Sequence, residues 1–332
     1  MKALIQKLVE SFGPSGYEDA VRELVTAEIK PYADEIRVDP LGNLIARKGT
    51  KTPAGMRIML SAHMDEIGVI ATHIDENGFV RFTTIGGVRP ITCVGGRVRF
   101  ISGAQGTINS ERMESQDKIP SFDRLYIDVG ASSRADCKVR VGDVAAFERP
   151  FLDLGDRLVS KAMDDRISVA VQIEALKQLK DTPHEVYFVF SVQEEVGTRG
   201  AITSSYAIDP DLGISIDVTL TGDTPKGIKM DVSLGKGPTV KVRDGGMLSD
   251  PRLVRWLADT AEKAGIPYQL EVLEGGTTDA RSIQLARAGV PVSCISIPCR
   301  YVHSPSEMVD YRDVQNAVAL LVKVLEQPIQ LA

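Results

Sequence analysis

The feature that most restricts the fold is a change of period at Lys161. From there onward helical patterns alternate with short apolar runs. DDRISVAVQIEALKQL, DPRLVRWLADTAEKAG and ARSIQLARAG read as helices, and a last helix covers about Arg312 to Glu326. VYFVFSV, LGISIDV, YQLEVLE and VPVSCISIP read as strands between them. Such alternation predicts a mostly parallel sheet with helices on both faces, because parallel strands need crossovers that cover the sheet.

The beginning of the chain fits the same unit. A helical pattern from Met1 to about Lys30 is broken by the turn GPSG at Gly13–Gly16. Short strands follow around Ile36 and Leu44, and MRIMLSAH ends a stronger strand at His63. Between these parts, FVRFTTI, GRVRFI, RLYIDVG and DVAAFE alternate apolar and polar residues between glycine-rich turns, with no convincing helix. The expected fold class is therefore α/β: a mostly parallel sheet flanked by helices, built from residues 1–66 and 161–332. Residues 67–160 form an inserted small all-β domain. The glycine pairs at Ile85–Gly87, Val94–Gly96, Asp244–Gly246 and Glu274–Gly276 lack a nucleotide-binding pattern and read as turns.

A formal charge of -6 without a compact basic run disfavours nucleic acid and anionic membrane as partners. No apolar stretch approaches the length of a membrane span, and the amphipathic start reads as a helix rather than a signal peptide. A soluble, cytoplasmic protein is expected. Cys93, Cys137, Cys294 and Cys299 have no C-x-x-C spacing, so reduced thiols are expected rather than disulfides or ligands.

Ligands of open α/β sheets bind beyond the carboxyl ends of the strands. Those ends carry His63 and Asp65, the doublet Glu194-Glu195, Asp217 and, shortly after the last strand, His303; Asp164 and Asp165 open the helix after the insert. Alone, each has an ordinary reading. His63 could be a hydrogen-bonded core histidine, Asp217 could cap a turn, and the aspartate pair suits a helix N-terminus. His73 and His184 read as structural. Jointly, the rim residues offer a His, Asp, Glu, Asp, His set from five separate places, and three carboxylates with two imidazoles suit a pair of divalent cations with one carboxylate shared. Without cations those carboxylates would repel and some would protonate. His63 and Asp65, two apart on a strand, would face the same way, letting the carboxylate orient the imidazole.

SAHMDEIG, KAMDDR, SVQEEVGTRGA, SIDV, EGGTTDA and IPCRYVHSPSE, in this order, resemble the tetrahedral aminopeptidases, a family of co-catalytic metallopeptidases that includes glutamyl and deblocking aminopeptidases. The resemblance spans essentially the whole chain. It implies a zinc-aminopeptidase-like fold whose inserted β domain serves dimerisation. It also implies two divalent ions per subunit, zinc, cobalt or manganese. His63 and Asp217 would hold one, Glu195 and His303 the other, and Asp164 would bridge them. Asp65 would support His63, and Glu194 would be the general acid/base.

The implied chemistry is release of amino-terminal residues from short peptides by a metal-bridging hydroxide, in dimers that assemble to a dodecamer. Two rival readings are a metal-dependent N-deacylase on the same fold and a non-catalytic metal-binding assembly protein. Closed structural sites leave no spare acid, and Glu194 is one. A glycosidase is disfavoured, because its two carboxyls must flank a sugar from opposite sides, which adjacent residues do poorly.

Overall fold

The computed structural model describes residues 1–112 and 118–331. Helices α1 (Lys2–Glu10) and α2 (Asp19–Ile29) lead into β1 (Glu35–Val38), β2 (Leu44–Lys48) and β3 (Arg57–His63). The chain then enters β4 (Gly68–Ile74), β5 (Val80–Ile85), β6 (Arg97–Phe100), β7 (Gln105–Ser110), β8 (Leu125–Asp128) and β9 (Val144–Glu148). It returns through β10 (Leu152–Asp153) and β11 (Arg157–Ser160) to α3 (Met163–Gln178) and β12 (Glu185–Ser191). Next come α4 (Arg199–Ile208), β13 (Leu212–Thr219), β14 (Thr239–Arg243), α5 (Pro251–Ala264) and β15 (Gln269–Val272). α6 (Asp279–Gln284), β16 (Val292–Arg300), β17 (Glu307–Asp310) and α7 (Tyr311–Leu325) complete the fold.

The main sheet runs β1-β2-β12-β3-β13-β16-β17-β11-β10, with β14 and β15 attached beside β16. It is mixed rather than mostly parallel. β12, β3, β13 and β16 are mutually parallel, whereas β1, β2, β17, β11 and β10 pair antiparallel. Connection length explains the difference. Only residues 301–306 join β16 to β17, too few for a covering helix, so the strand turns back on its neighbour. The parallel core is the part that the helix–strand alternation described.

β12 and β13 are buried over nearly their whole length, as strands covered on both faces must be. α3 is buried all round, lying between the sheet and helices α1 and α7. α4 and β14 have weak sequence signals. α4 carries Thr203, Ser204 and Ser205, poor interior helix formers, and its serine hydroxyls bond back to the Gly200 and Ala201 carbonyls at 2.8 and 2.6 Å. α6 stops at Gln284, short of the expected helix, and Leu285 beyond it is 73% exposed.

The strands β4-β5-β8-β7-β6-β9 close into a barrel with its own core, including Val69, Val80, Phe100, Ile108 and Phe147. Closure removes the free edges that so small a sheet would otherwise expose. β10 and β11, which fall within the expected 67–160 insert, pair with each other and, through β11, with β17 of the main sheet. Among the described residues all four cysteines are free, with Cys93, Cys294 and Cys299 buried. No helix of the described residues is long and apolar enough to cross a membrane.

Candidate metal centre

Parallel register brings the strand ends together. Ser191 at the end of β12 lies opposite His63 at the end of β3, and β13 beside them carries Asp217 opposite Ser296 of β16. Asp164 and Asp165 approach from the first turn of α3, where both depart from helical dihedrals. His303 follows β16 with a φ of 60°. All eight residues singled out from the sequence lie in this region. His73 is exposed on β4, away from it. His184 is a buried structural residue, its Nδ1 accepting the Met56 N–H at 2.9 Å and its Nε2 lying 3.0 Å from the Gln327 carbonyl.

Asp164 is the centre of the arrangement. Its Oδ1 is 3.0 Å from His63 Nε2 and its Oδ2 is 3.3 Å from His303 Nε2. His303 Nε2 is also 3.1 Å from Glu195 Oε2. Donor atoms of His63, Asp164 and Glu195 lie within 4.8 Å of one another, as do those of His63, Asp165 and Asp217. Ligands about 2.0–2.2 Å from a tetrahedral ion stand roughly 3.3–3.6 Å apart, so this spacing suits atoms that share a cation.

Charge balance makes the same demand. Among the described residues no lysine or arginine lies within 4.0 Å of the carboxylates of Asp164, Asp165, Glu194, Glu195 or Asp217. Burial pushes Glu194 and Asp217 well above the ordinary carboxylate range; the His63 charge opposes this, and neighbouring carboxylates add to it. Burial and the adjacent Asp217 raise Asp165 likewise. Burial works against a charged His303, yet the Asp164 and Glu195 carboxylates outweigh it and carry its pKa up to about 12. The two imidazoles are thus the only side chains with positive charge to offer in contact with these five carboxylates among the described residues, and five acids outnumber them. Two buried oxygens, Asp165 Oδ1 and Glu195 Oε1, have no hydrogen-bond partner, an arrangement expected of acceptors that face a cation.

Asp65 acts differently from the strand-period expectation. β3 ends at His63, so Asp65 stands beyond the strand. His63 Nδ1 lies 3.1 Å from the Asp65 backbone oxygen and 3.4 Å from its carboxylate. The carboxylate oxygens instead accept the N–H groups of Glu194 at 3.0 Å and Glu195 at 3.1 Å, and the Ser15 hydroxyl at 2.6 Å. Asp65 therefore orients the glutamate doublet as well as the imidazole. The GPSG turn that supplies Ser15 is held by Arg166, fully buried and donating to the carbonyls of Leu8, Ser11 and Gly13.

Sequence reasoning assigned no role to Glu307, although its motif HSPSE was noted. Glu307 is buried and accepts the Asp164 N–H at 3.0 Å and the His303 N–H at 2.8 Å, tying two separate segments together. Asp279, in EGGTTDA, is also buried; it accepts the Ser61 hydroxyl at 2.5 Å and leaves Oδ1 unpartnered. Neither carboxylate shows a periodicity that could have marked it.

The family model described as M42 glutamyl aminopeptidase matches residues 42–320. The chain belongs to the M42 aminopeptidase family. A putative aminopeptidase of Acetivibrio thermocellus is 47% identical over 97% of each chain. Among solved structures, the aminopeptidase APDkam598 of Desulfurococcus kamchatkensis superposes with a TM-score of 0.94 at 43% identity, covering 98% of this chain and 94% of the other. The TET1 peptidase of Pyrococcus horikoshii, described as able to assemble into a tetrahedron or a large octahedral shell, superposes at 0.89 with 32% identity, covering 98% of this chain and 99% of its own. This M42 protein is thus a hydrolase, an aminopeptidase, and the N-deacylase and non-catalytic readings are not favoured.

Proposed function

We propose that this aminopeptidase works with two divalent cations, His63 and Asp217 on one, Glu195 and His303 on the other, and Asp164 between them. The observation that carries the reading is the Asp164 carboxylate, which offers one oxygen to each imidazole. Zinc, cobalt and manganese all suit imidazole and carboxylate ligands. When bound, such a pair lowers the pKa of a water to near neutrality and polarises the scissile carbonyl.

Glu194 handles the proton. Its side chain is 11% exposed, and Oε2 stands 3.9 Å from His63 Nε2, beside the ligand cluster but outside its closest contacts. It takes a proton from the attacking water and delivers it to the departing amine. Burial among other carboxylates suits that task by raising its proton affinity. Asp65 fixes the loop that aims Glu194, and Glu307 fixes the spacing of Asp164 and His303. The substrates are short peptides with a free amino terminus.

The barrel serves assembly: pairs of subunits join partly through residues 67–160, and dimers build a dodecamer. Ile91, Ile119 and Val141 support this, since each is more than half exposed on the inserted unit. The free, largely buried thiols support a reducing, cytoplasmic location. Chelation followed by elemental analysis and reconstitution tests the proposal. Two ions per subunit should return, and aminoacyl hydrolysis should recover in step; full turnover by rigorously metal-free protein would sink it.

A further inference from the structure

The two halves of the centre are not built alike. His63 is 2% exposed and enclosed by the α/β unit. The His303 side chain is 32% exposed, and one edge of its ring faces the inserted barrel. The contact is made by the Ile85–Gly87 turn at the end of β5. A Cβ built on Gly87 would stand 2.7 Å from His303 Cε1 and closer still to Nδ1, whereas real Cβ atoms essentially never come nearer than 3.0 Å. At Gly86 a Cβ would stand 3.1 Å from both Cβ and Oε2 of Glu195. Arg89, two residues further on, donates to the Val302 carbonyl at 3.3 Å, just before His303.

We propose that Gly87 is a positioning residue, and that the barrel turn carrying it forms the wall against which His303 is seated. The inserted barrel is thereby part of the Glu195–His303 half of the centre. The inference rests on the ligand assignment above. Geometry carries it further, because the His303 ring is pinned at both edges. Nε2 holds its place 3.1 Å from Glu195 and 3.3 Å from Asp164, while the Nδ1–Cε1 edge lies against the bare Cα of Gly87. Glu307 fixes the backbone N–H at 2.8 Å, so the segment cannot simply back away. A methyl group at position 87 must turn the ring, and turning it withdraws Nε2 from both carboxylates. Gly87 lies outside the left-handed region, so alanine there adds bulk without backbone strain. Gly86, at φ 75°, would confound the two effects.

The test uses full-length Gly87→Ala, His303→Ala and the double variant, each stripped by chelation. Each is titrated with zinc by calorimetry and its bound metal counted. Gly87→Ala should bind one ion as the parent does and the second roughly 10- to 100-fold more weakly, the usual cost of disturbing a ligand's support. The double variant should match His303→Ala, since both changes act on one side chain. If Gly87→Ala binds two ions like the parent while His303→Ala loses one, the positioning role is wrong and the ligand reading stands. If His303→Ala itself keeps both ions at parental affinity, the ligand reading fails. Loss of both ions in Gly87→Ala, or a further drop in the double variant, also overturns the proposal, because the turn would then act on more than His303.

Discussion

The carboxylate of Asp65 accepts the backbone N–H of Glu194 at 3.0 Å, so a residue just beyond one strand sets the position of the loop after its neighbour. The same carboxylate takes the Glu195 N–H and the Ser15 hydroxyl. Asp65→Asn leaves one acceptor oxygen where two are used and turns an amide N–H₂ towards a backbone donor. Turnover and metal affinity should each fall about 10- to 100-fold. Parallel assays and zinc titrations check this; unchanged values in both would mean that Asp65 does not position the doublet.

The parallel core and the acids and histidines that gather at its rim were legible because they obey local rules. Val186 to Val192 can only be a covered strand, and acids at its end sit where charge needs a partner. What sequence could not show depends on contacts between distant segments. Glu307 looks like any glutamate in a turn until folding brings the Asp164 and His303 N–H groups to its two oxygens. Asp65 works through backbone hydrogen bonds across a strand pair that no periodicity encodes. The place of β11 in the main sheet was missed because it joins β17 from 147 residues earlier in the chain, counting from Ser160 to Glu307.

Stability should depend sharply on one buried charge cluster beside the GPSG turn. Lys161 Nζ lies 2.8 and 2.7 Å from the two Glu66 oxygens, and Arg166 Nη2 is 3.4 Å from one of them. Glu66→Gln would leave Lys161 and Arg166 without the carboxylate they touch, a loss of about 3–5 kcal/mol. Lys161→Met leaves Glu66 paired with Arg166 and should cost less. Urea unfolding at matched protein concentration ranks the two; the reverse order would mean that Arg166 does not share the Glu66 charge.

An acid-side test is offered by Asp223, whose carboxylate bonds Arg300 Nε at 2.9 Å and Nη2 at 2.7 Å. Partial burial would raise its pKa, but the Arg300 guanidinium, Thr221 and the Leu234 N–H hold it down at about 2. The folded state therefore favours the ionised form. Its stabilising contribution is complete above the unfolded value of about 4 and is lost as pH falls towards 2. Asp223→Asn should lower the melting temperature at pH 7 and shrink the difference from the parent between pH 4 and 2. A constant difference across that window would show that the carboxylate is not the group responsible.

The doublet itself gives the most discriminating pair of substitutions. Glu195 Oε2 is 3.1 Å from His303 Nε2 and its Oε1 is buried without a partner, as the proposed ligand role requires. Glu194 stands off at 3.9 Å from His63. Glu194→Gln keeps the volume and the backbone bond to Asp65, so both ions should remain while turnover falls by roughly 10²–10⁴, the range for loss of a general base. Glu195→Gln removes a negative charge from the ligand set, so one ion should bind more weakly and added metal should restore part of the activity. Neutral substitution of a merely structural acid pair would change turnover little in either case. Metal content and turnover measured together separate these outcomes, and metal loss in Glu194→Gln with both ions retained in Glu195→Gln would exchange the two roles.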